Sequence, residues 1–175
     1  MAVRWQDNSL LTYDQWLVAR LESLGASIYG TIVYGSPWSS NLELFYEYLG
    51  APKNRIENFR MWMGKETEAT SRKMHQYYEG SEQSVVDNFR SGRKVKETIN
   101  LNATAFNDLY PHLSCTPDSE IQPFGIYVNR GKGALEIKNT SSFVLNSYES
   151  GLPTDNVIQI CGQMMICEYD YGELF

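Results

Sequence analysis

The sequence predicts an α/β protein in which helices and a β-sheet pack as layers. Three observations carry that prediction. Apolar residues recur at helical spacing through much of the first eighty positions. A hairpin signal, RGKG between two apolar runs, sits at residues 130–133. An apolar segment of helical length follows it at residues 156–169.

Taken in order, residues 13–24 (YDQWLVARLESL) place Trp16, Leu17, Leu21 and Leu24 on one helical face, with Gly25 as the C-cap. The next stretch, SIYGTIVYGSPW, is short, β-branched and punctuated by Gly and Pro, so turns are expected. Asn41 is expected to cap a helix that runs through Leu49 and stops at Gly50 and Pro52. Residues 54–79 carry the longest helical pattern, ending at Gly80. Beyond it, SVVDNFRSGRKVKETINLNAT reads as strand-rich and PHLSCTPD as a turn into the core. FGIYVN and ALEIKN flank RGKG as the two strands of a hairpin. Residues 141–155 are a helix or loop, and NVIQICGQMMICEY is a buried helix with Val157, Ile160, Met164 and Ile166 among its apolar positions. The final YGELF opens another strand, so the natural protein is expected to continue past residue 175.

Composition narrows the function classes. At 175 residues, 42% apolar and 13% aromatic, the chain suits one globular domain with a real core. No apolar run reaches the roughly 18 residues of a membrane span, and MAVRWQDNSLL lacks the layout of a secretory signal. Cys115, Cys161 and Cys167 are odd in number and form no CxxC pair. They point to free thiols in a reducing compartment and away from structural zinc. A net charge of −6 argues against a general nucleic-acid binder, although a local basic groove is compatible with it.

The chemistry concentrates around GALEIKN. In a strand, Glu136 and Lys138 share one face while Leu135 and Ile137 take the other. Upstream, Pro117-Asp118 offers a second carboxylate, and a hairpin would return Asp118 to the neighbourhood of Glu136. Two carboxylates and a backbone carbonyl are what Mg²⁺ takes, and a lysine beside them can serve the attacking water. This is the PD…(D/E)xK pattern. On its own it is weighed against a plain surface salt bridge between Glu136 and Lys138.

Further segments bear on that choice. They are Trp16, Leu17 and Arg20; Leu24-Gly25-Ala26-Ser27; Gly35-Ser36-Pro37-Trp38; Met61, Gly64, Lys65 and Glu68; TPD; LEIK; and a Gln-x-x-x-Gln-Met segment from Gln159 to Met164. Their order over residues 14–173 resembles the YqaJ-like viral recombinase family, the phage lambda exonuclease type. The resemblance implies a restriction-endonuclease-like core, a central mixed β-sheet flanked by helices, within a single domain at residues 1–175 that is cut short at its C-terminus. It implies a Mg²⁺-dependent 5′–3′ exodeoxyribonuclease acting on double-stranded DNA ends, with Mn²⁺ as a substitute ion. A single-strand annealing protein as partner, a homotrimeric ring around DNA, and the cytoplasm of a bacterial or other host cell go with that reading. No membrane association is expected.

Roles follow residue by residue from the resemblance. Asp118 and Glu136 match metal ligands, joined by the Ile137 carbonyl and by Glu68 from a helix. Lys138 matches the catalytic lysine, and Gln159 a glutamine supporting it or the water. Arg20, Ser27 and Thr116 match a grip on the terminal 5′-phosphate, where a guanidinium fork and hydroxyls suit the ligand. Two departures stand out. Ser119 follows the aspartate where Gly is usual, and Cys161 stands where some relatives carry a second Gln. The stretch from Asp118 to Glu136 is longer than in compact members, so an extended hairpin is expected.

Each of these residues also has a plainer reading. Arg20 is a solvated charge near Glu22, Ser27 a turn residue, and Gln159 a buried amide. Glu68 belongs to an i,i+4 network with Lys65, Arg72 and Lys73, and Glu66 serves as its control. His75 and His112 read as surface or turn residues, and Trp5, Trp38 and Trp62 as core or turn anchors. The basic run RSGRKVK is a solvated loop or a DNA-backbone contact. A restriction-like endonuclease and a non-catalytic DNA-binding module remain as rival functions.

Overall fold

A computed structural model describes residues 2–35, 40–50, 59–138 and 151–175. Among these residues six α-helices and eight strands occur: β1 (Val3–Asp7), α1 (Tyr13–Ala19), β2 (Leu24–Gly25), α2 (Tyr29–Tyr34), α3 (Asn41–Tyr48), α4 (Phe59–His75), α5 (Glu82–Ser91), β3 (Glu97–Ile99), β4 (Ala103–Asn107), β5 (Leu113–Cys115), β6 (Ser119–Gln122), β7 (Gly133–Glu136), α6 (Thr154–Cys167) and β8 (Tyr171–Leu174). The strands form two four-stranded mixed sheets, ordered β1-β4-β5-β2 and β3-β6-β7-β8. Only the pairs β2–β5 and β7–β8 are parallel. The expected mixed α/β arrangement is therefore present, with its sheet divided in two.

Residues 116–118 carry the chain from the first sheet to the second. Pro117 cannot donate to a ladder, so pairing ends at Cys115 and resumes at Ser119. Helix α6 packs against α2, β4, β5, β7 and β8, touching both sheets. Its approach to α2 depends on two glycines. A Cβ at Gly162 would lie 2.5 Å from the Tyr29 ring, and one at Gly30 would lie 2.7 Å from Asp155 Cβ.

Strand β7 is buried on both faces, as expected for a strand with neighbours on either side and a helix above. Leu135 and Ile137 join Ile121 in one apolar cluster. Ala134 faces the other cluster, with Ile166, Cys167 and Cys115. That alternation leaves Glu136 on the α6 side, under the helix.

Several sequence expectations give way. Helix α1 ends at Ala19, and Gly25 is paired with Ser114 in β2 rather than capping a helix. Within SIYGTIVYGSPW, residues 26–28 form a 3-10 turn and Tyr29–Tyr34 a helix, because packing on α6 overrides the β-branched composition. Residues 36–39, with the Ser36-Pro37-Trp38 turn, lie outside the described residues. Ser40, not Asn41, caps α3, exchanging hydrogen bonds with Glu43 as a capping box. The start of the pattern at residues 54–58 and the segment at 141–150 lie outside the described residues.

The largest difference is α5. Val85 and Val86 suggest strand, but Ser81 caps a helix there and Gly92 closes it in the left-handed conformation at φ 71°. The hairpin exists with a different first strand: β6, SEIQ, pairs with β7, while residues 125–127 form a 3-10 turn tied to Val95. Its connection of residues 123–132 is the extended hairpin that was expected. Trp5 and Trp62 are exposed rather than core anchors. The buried helix at α6 and the final strand β8 are where the sequence places them.

Candidate active site

The site lies where the 116–118 linker, the end of β7 and the inner face of α6 meet. Register puts Ser119 opposite Leu135, which brings Asp118 beside the end of β7. There Asp118 Oδ2 accepts the Ile137 backbone N–H at 2.6 Å. Glu136 is almost fully buried, at 3% exposure, and three side chains donate to its carboxylate. Lys138 Nζ and Gln159 Nε2 each lie 2.6 Å from Oε1, and Gln163 Nε2 lies 2.6 Å from Oε2. Gln159 Oε1 in turn accepts from Lys138 Nζ at 3.1 Å. The Glu136–Lys138 pair is thus an ion pair between a buried carboxylate and a half-buried ammonium, with two amides also donating to the carboxylate.

Electrostatics set Asp118 apart. Burial, then the neighbouring charges of Glu136 and Glu68, push its carboxyl up to about 7, against the opposing pull of the Ile137 N–H and Lys138. Carboxylates have been gathered here with too little positive charge to hold them all ionised.

Glu68 arrives from α4, half-buried, in the i,i+4 ion pair with Arg72 that its sequence spacing predicts. Arg72 does more than pair. Its Nε donates to Ser119 Oγ at 2.5 Å and its Nη2 to the Asp118 carbonyl at 3.2 Å. Ser119, the departure from the family's usual Gly, is therefore the hydroxyl that receives Arg72 and fastens α4 to the Asp118 linker. Glu66 is exposed.

A cavity of about 290 Å³ opens over this cluster, lined by Asp118, Glu136, Lys138, Gln159 and Gln163 and also by Arg20, Ser27 and Thr116. Of the candidate residues, Glu68 and Ile137 stand outside its lining. Thr104 Oγ1 lies 3.1 Å from Asn8 Oδ1, to which it donates, and 3.0 Å from Thr116 Oγ1. With its one proton committed to Asn8, Thr104 receives the Thr116 proton.

The donor set suits a hard divalent cation. Asp118 and Glu136 offer oxygen only, and the unrelieved charge on Asp118 is what a bound cation would compensate. Among the described residues no group of three His, Cys, Asp or Glu side chains is assembled as a metal cage.

Two residues at the site carried no site role in the sequence reading. Gln163 is fully buried, with its Oε1 unpartnered; its signal was the i,i+4 spacing from Gln159. Arg72 was read only as a partner for Glu68. His75 is a correction: it is completely buried, with Nε2 2.7 Å from Glu173 Oε2. Lys96 likewise leaves the solvated basic run and reaches the same carboxylate at 2.9 Å. His112 is exposed, as expected, and Cys161 points outward while Cys115 and Cys167 are buried free thiols.

Comparison with known proteins bears on the family and the fold. The YqaJ-like viral recombinase domain matches residues 15–170. An alkaline exonuclease from Laribacter hongkongensis, LHK-Exo, superposes with a TM-score of 0.64 at 16% identity, covering 92% of this chain and 72% of that one. LHK-Exo in complex with dAMP gives 0.65 at 17% identity with the same coverage. At such identity the likeness is one of fold, which is restriction-endonuclease-like. No curated protein sequence matches significantly.

Proposed function

Because this chain belongs to the YqaJ-like viral recombinase family, we propose that it is a Mg²⁺-dependent exodeoxyribonuclease digesting one strand of duplex DNA from a 5′ end. The observation that carries the reading is a single cavity that holds Asp118, Glu136, Lys138 and Gln159 together with Arg20, Ser27 and Thr116. Cleaving groups and a cationic end-grip belong together in an enzyme that must recognise a terminus before it cuts.

Asp118, Glu136 and the Ile137 carbonyl would hold Mg²⁺, or Mn²⁺ in its place, with Glu68 joining on release from Arg72. Bound there, the ion supplies Lewis-acid polarisation of the phosphate and a more acidic water. Of the three Lys138 ammonium protons, Glu136 and Gln159 take two, which leaves the third for the water or a phosphate oxygen. Gln159 and Gln163 keep the Glu136 carboxylate from rotating. Arg20, Ser27 and Thr116 bind the terminal phosphate, Thr116 by turning its hydroxyl away from Thr104.

The product side is mononucleotides and a 3′ overhang suited to a strand-annealing partner. LHK-Exo was solved with dAMP, a nucleotide of that class. In this reading residues 1–175 act as one nuclease domain, in the reducing cytoplasm of the host, and a homotrimeric ring would give processivity.

The test is digestion of linear duplex DNA with Mg²⁺, comparing 5′-phosphate ends, 5′-hydroxyl ends and closed circles. Wild type is expected to degrade linear DNA, fastest from 5′-phosphate ends. Lys138→Ala should lower the rate at least 100-fold, since a positioned proton donor or acceptor contributes about 10²–10⁴. Cutting of closed circles would make the protein an endonuclease, and no cleavage at all would leave a DNA-binding module.

A further inference from the structure

Arg20 is unusual among the basic residues around the site. Among the described residues its side chain makes no hydrogen bond and no ion pair, although Glu22 is two positions away. Its guanidinium instead lies over the Trp16 ring, 4.7 Å from the centroid. Helix geometry produces the stack: Arg20 caps α1, and its backbone N–H bonds to the Trp16 carbonyl at 3.1 Å, so the two side chains sit one turn apart on the same face. Tyr13 backs the indole from the preceding turn, with ring centroids 5.8 Å apart. Trp16 and Arg20 both line the cavity.

We propose that Trp16 is the positioning residue that gives this site its preference for a 5′-phosphate, by holding the Arg20 guanidinium flat and unpaired. This rests on the reading of Arg20 as the end-grip. Stacking engages the face of the guanidinium and leaves its five in-plane N–H donors free. A carboxylate partner would consume those donors and cancel the charge. An unstacked arginine would lose several rotamers on each binding event, which weakens capture of the terminus. The ring therefore supplies a fixed cation without a counter-ion, which is the state a dianionic phosphate captures best.

The experiment measures the ratio of initial rates on 5′-phosphate and 5′-hydroxyl ends for wild type, Trp16→Leu and Trp16→Phe. The expected result is a ratio about two- to fivefold lower in Trp16→Leu, mostly through a higher KM, with Trp16→Phe close to wild type. An unchanged ratio in Trp16→Leu overturns the proposal but leaves the end-grip intact. Absence of any preference in wild type overturns the Arg20 reading itself. Should Trp16→Leu fail to fold, the wild-type Arg20 Nε–H resonance, assigned through Arg20→Lys, decides. It should be ring-current shifted and move on adding a 5′-phosphorylated oligonucleotide but not its 5′-hydroxyl counterpart. A resonance at the free-arginine position overturns the stack.

Discussion

At the scale of single residues, Ser119 shows how one atom joins two parts of the site. It is fully buried, receives Arg72 Nε, and donates to the Asp118 carbonyl at 2.6 Å. Its replacement by alanine keeps the backbone and removes the acceptor, so a buried guanidinium loses a partner. Ser119→Ala is expected to cost about 1–3 kcal/mol of stability. That is a Tm drop of about 2–12 °C, readable by calorimetry, at roughly 2–4 °C per kcal/mol for a domain of this size. An unchanged Tm would show that Arg72 is satisfied without Ser119.

At the scale of elements, α4 and β8 meet through a buried charge cluster. Glu173 of β8 accepts from His75 of α4 and from Lys96, which is 4% exposed. Burial alone would raise the Glu173 pKa, but hydrogen bonds from His75, Tyr127 and Lys96 outweigh it and hold the carboxyl at about 2. A depressed carboxylate stabilises the fold at pH above its unfolded pKa of about 4.3, and that contribution is lost as pH falls towards 2. Burial lowers the His75 pKa, so the folded state resists protonating it and loses stability as pH falls below about 6.5. Both effects point the same way. In an Asp118→Asn background, which removes the opposing titration of Asp118, urea melts should show stability declining from pH 7 towards pH 3, and adding Glu173→Gln should flatten the part below about pH 5. The same substitution should cost about 3–5 kcal/mol at pH 7, because it strands the Lys96 charge. A parallel shift of the whole profile would mean that Glu173 is not the titrating partner.

At the scale of the whole molecule, the site draws on α1, the 116–118 linker, β7 and α6, with α4 fastened alongside, so its electrostatics should be felt by the entire fold. The crowding at Asp118 destabilises the metal-free protein at neutral pH, where the carboxyl must ionise against Glu136 and Glu68. Asp118→Asn is therefore expected to melt higher than wild type in chelator at pH 8. Adding Mg²⁺ should raise the wild-type Tm, since an ion at 100 times its Kd contributes about 2.7 kcal/mol, and should leave Asp118→Asn nearly unmoved. An equal Mg²⁺ response in both proteins would remove Asp118 from the cation site.

Two pairs in the candidate site were legible in the sequence from local spacing, while its other predicted residues, Asp118 apart, entered only through the family resemblance. Glu136 and Lys138 share a strand face by the period of two, and Trp16 and Arg20 share a helix face by the period near four. Residues 156–169 read as a buried helix for the same reason, and the helix is observed at Thr154–Cys167. Long-range placement needed the tertiary structure. Val85 and Val86 look like strand residues, yet α5 forms because its Ser81 and Gly92 caps fit a helix. FGIYVN looks like the partner of β7, yet SEIQ takes that edge.

Patterning by itself determined the element types near the chemistry and which side chains travel together. Only the fold decided that His75 and Lys96 are buried around Glu173, that Gln163 holds Glu136, and that Arg20, Ser27 and Thr116 open on one cavity with Asp118, Glu136 and Lys138. Periodicity encodes which face of an element a residue occupies. What that face meets depends on contacts between residues tens of positions apart, and nothing in a local window carries that information.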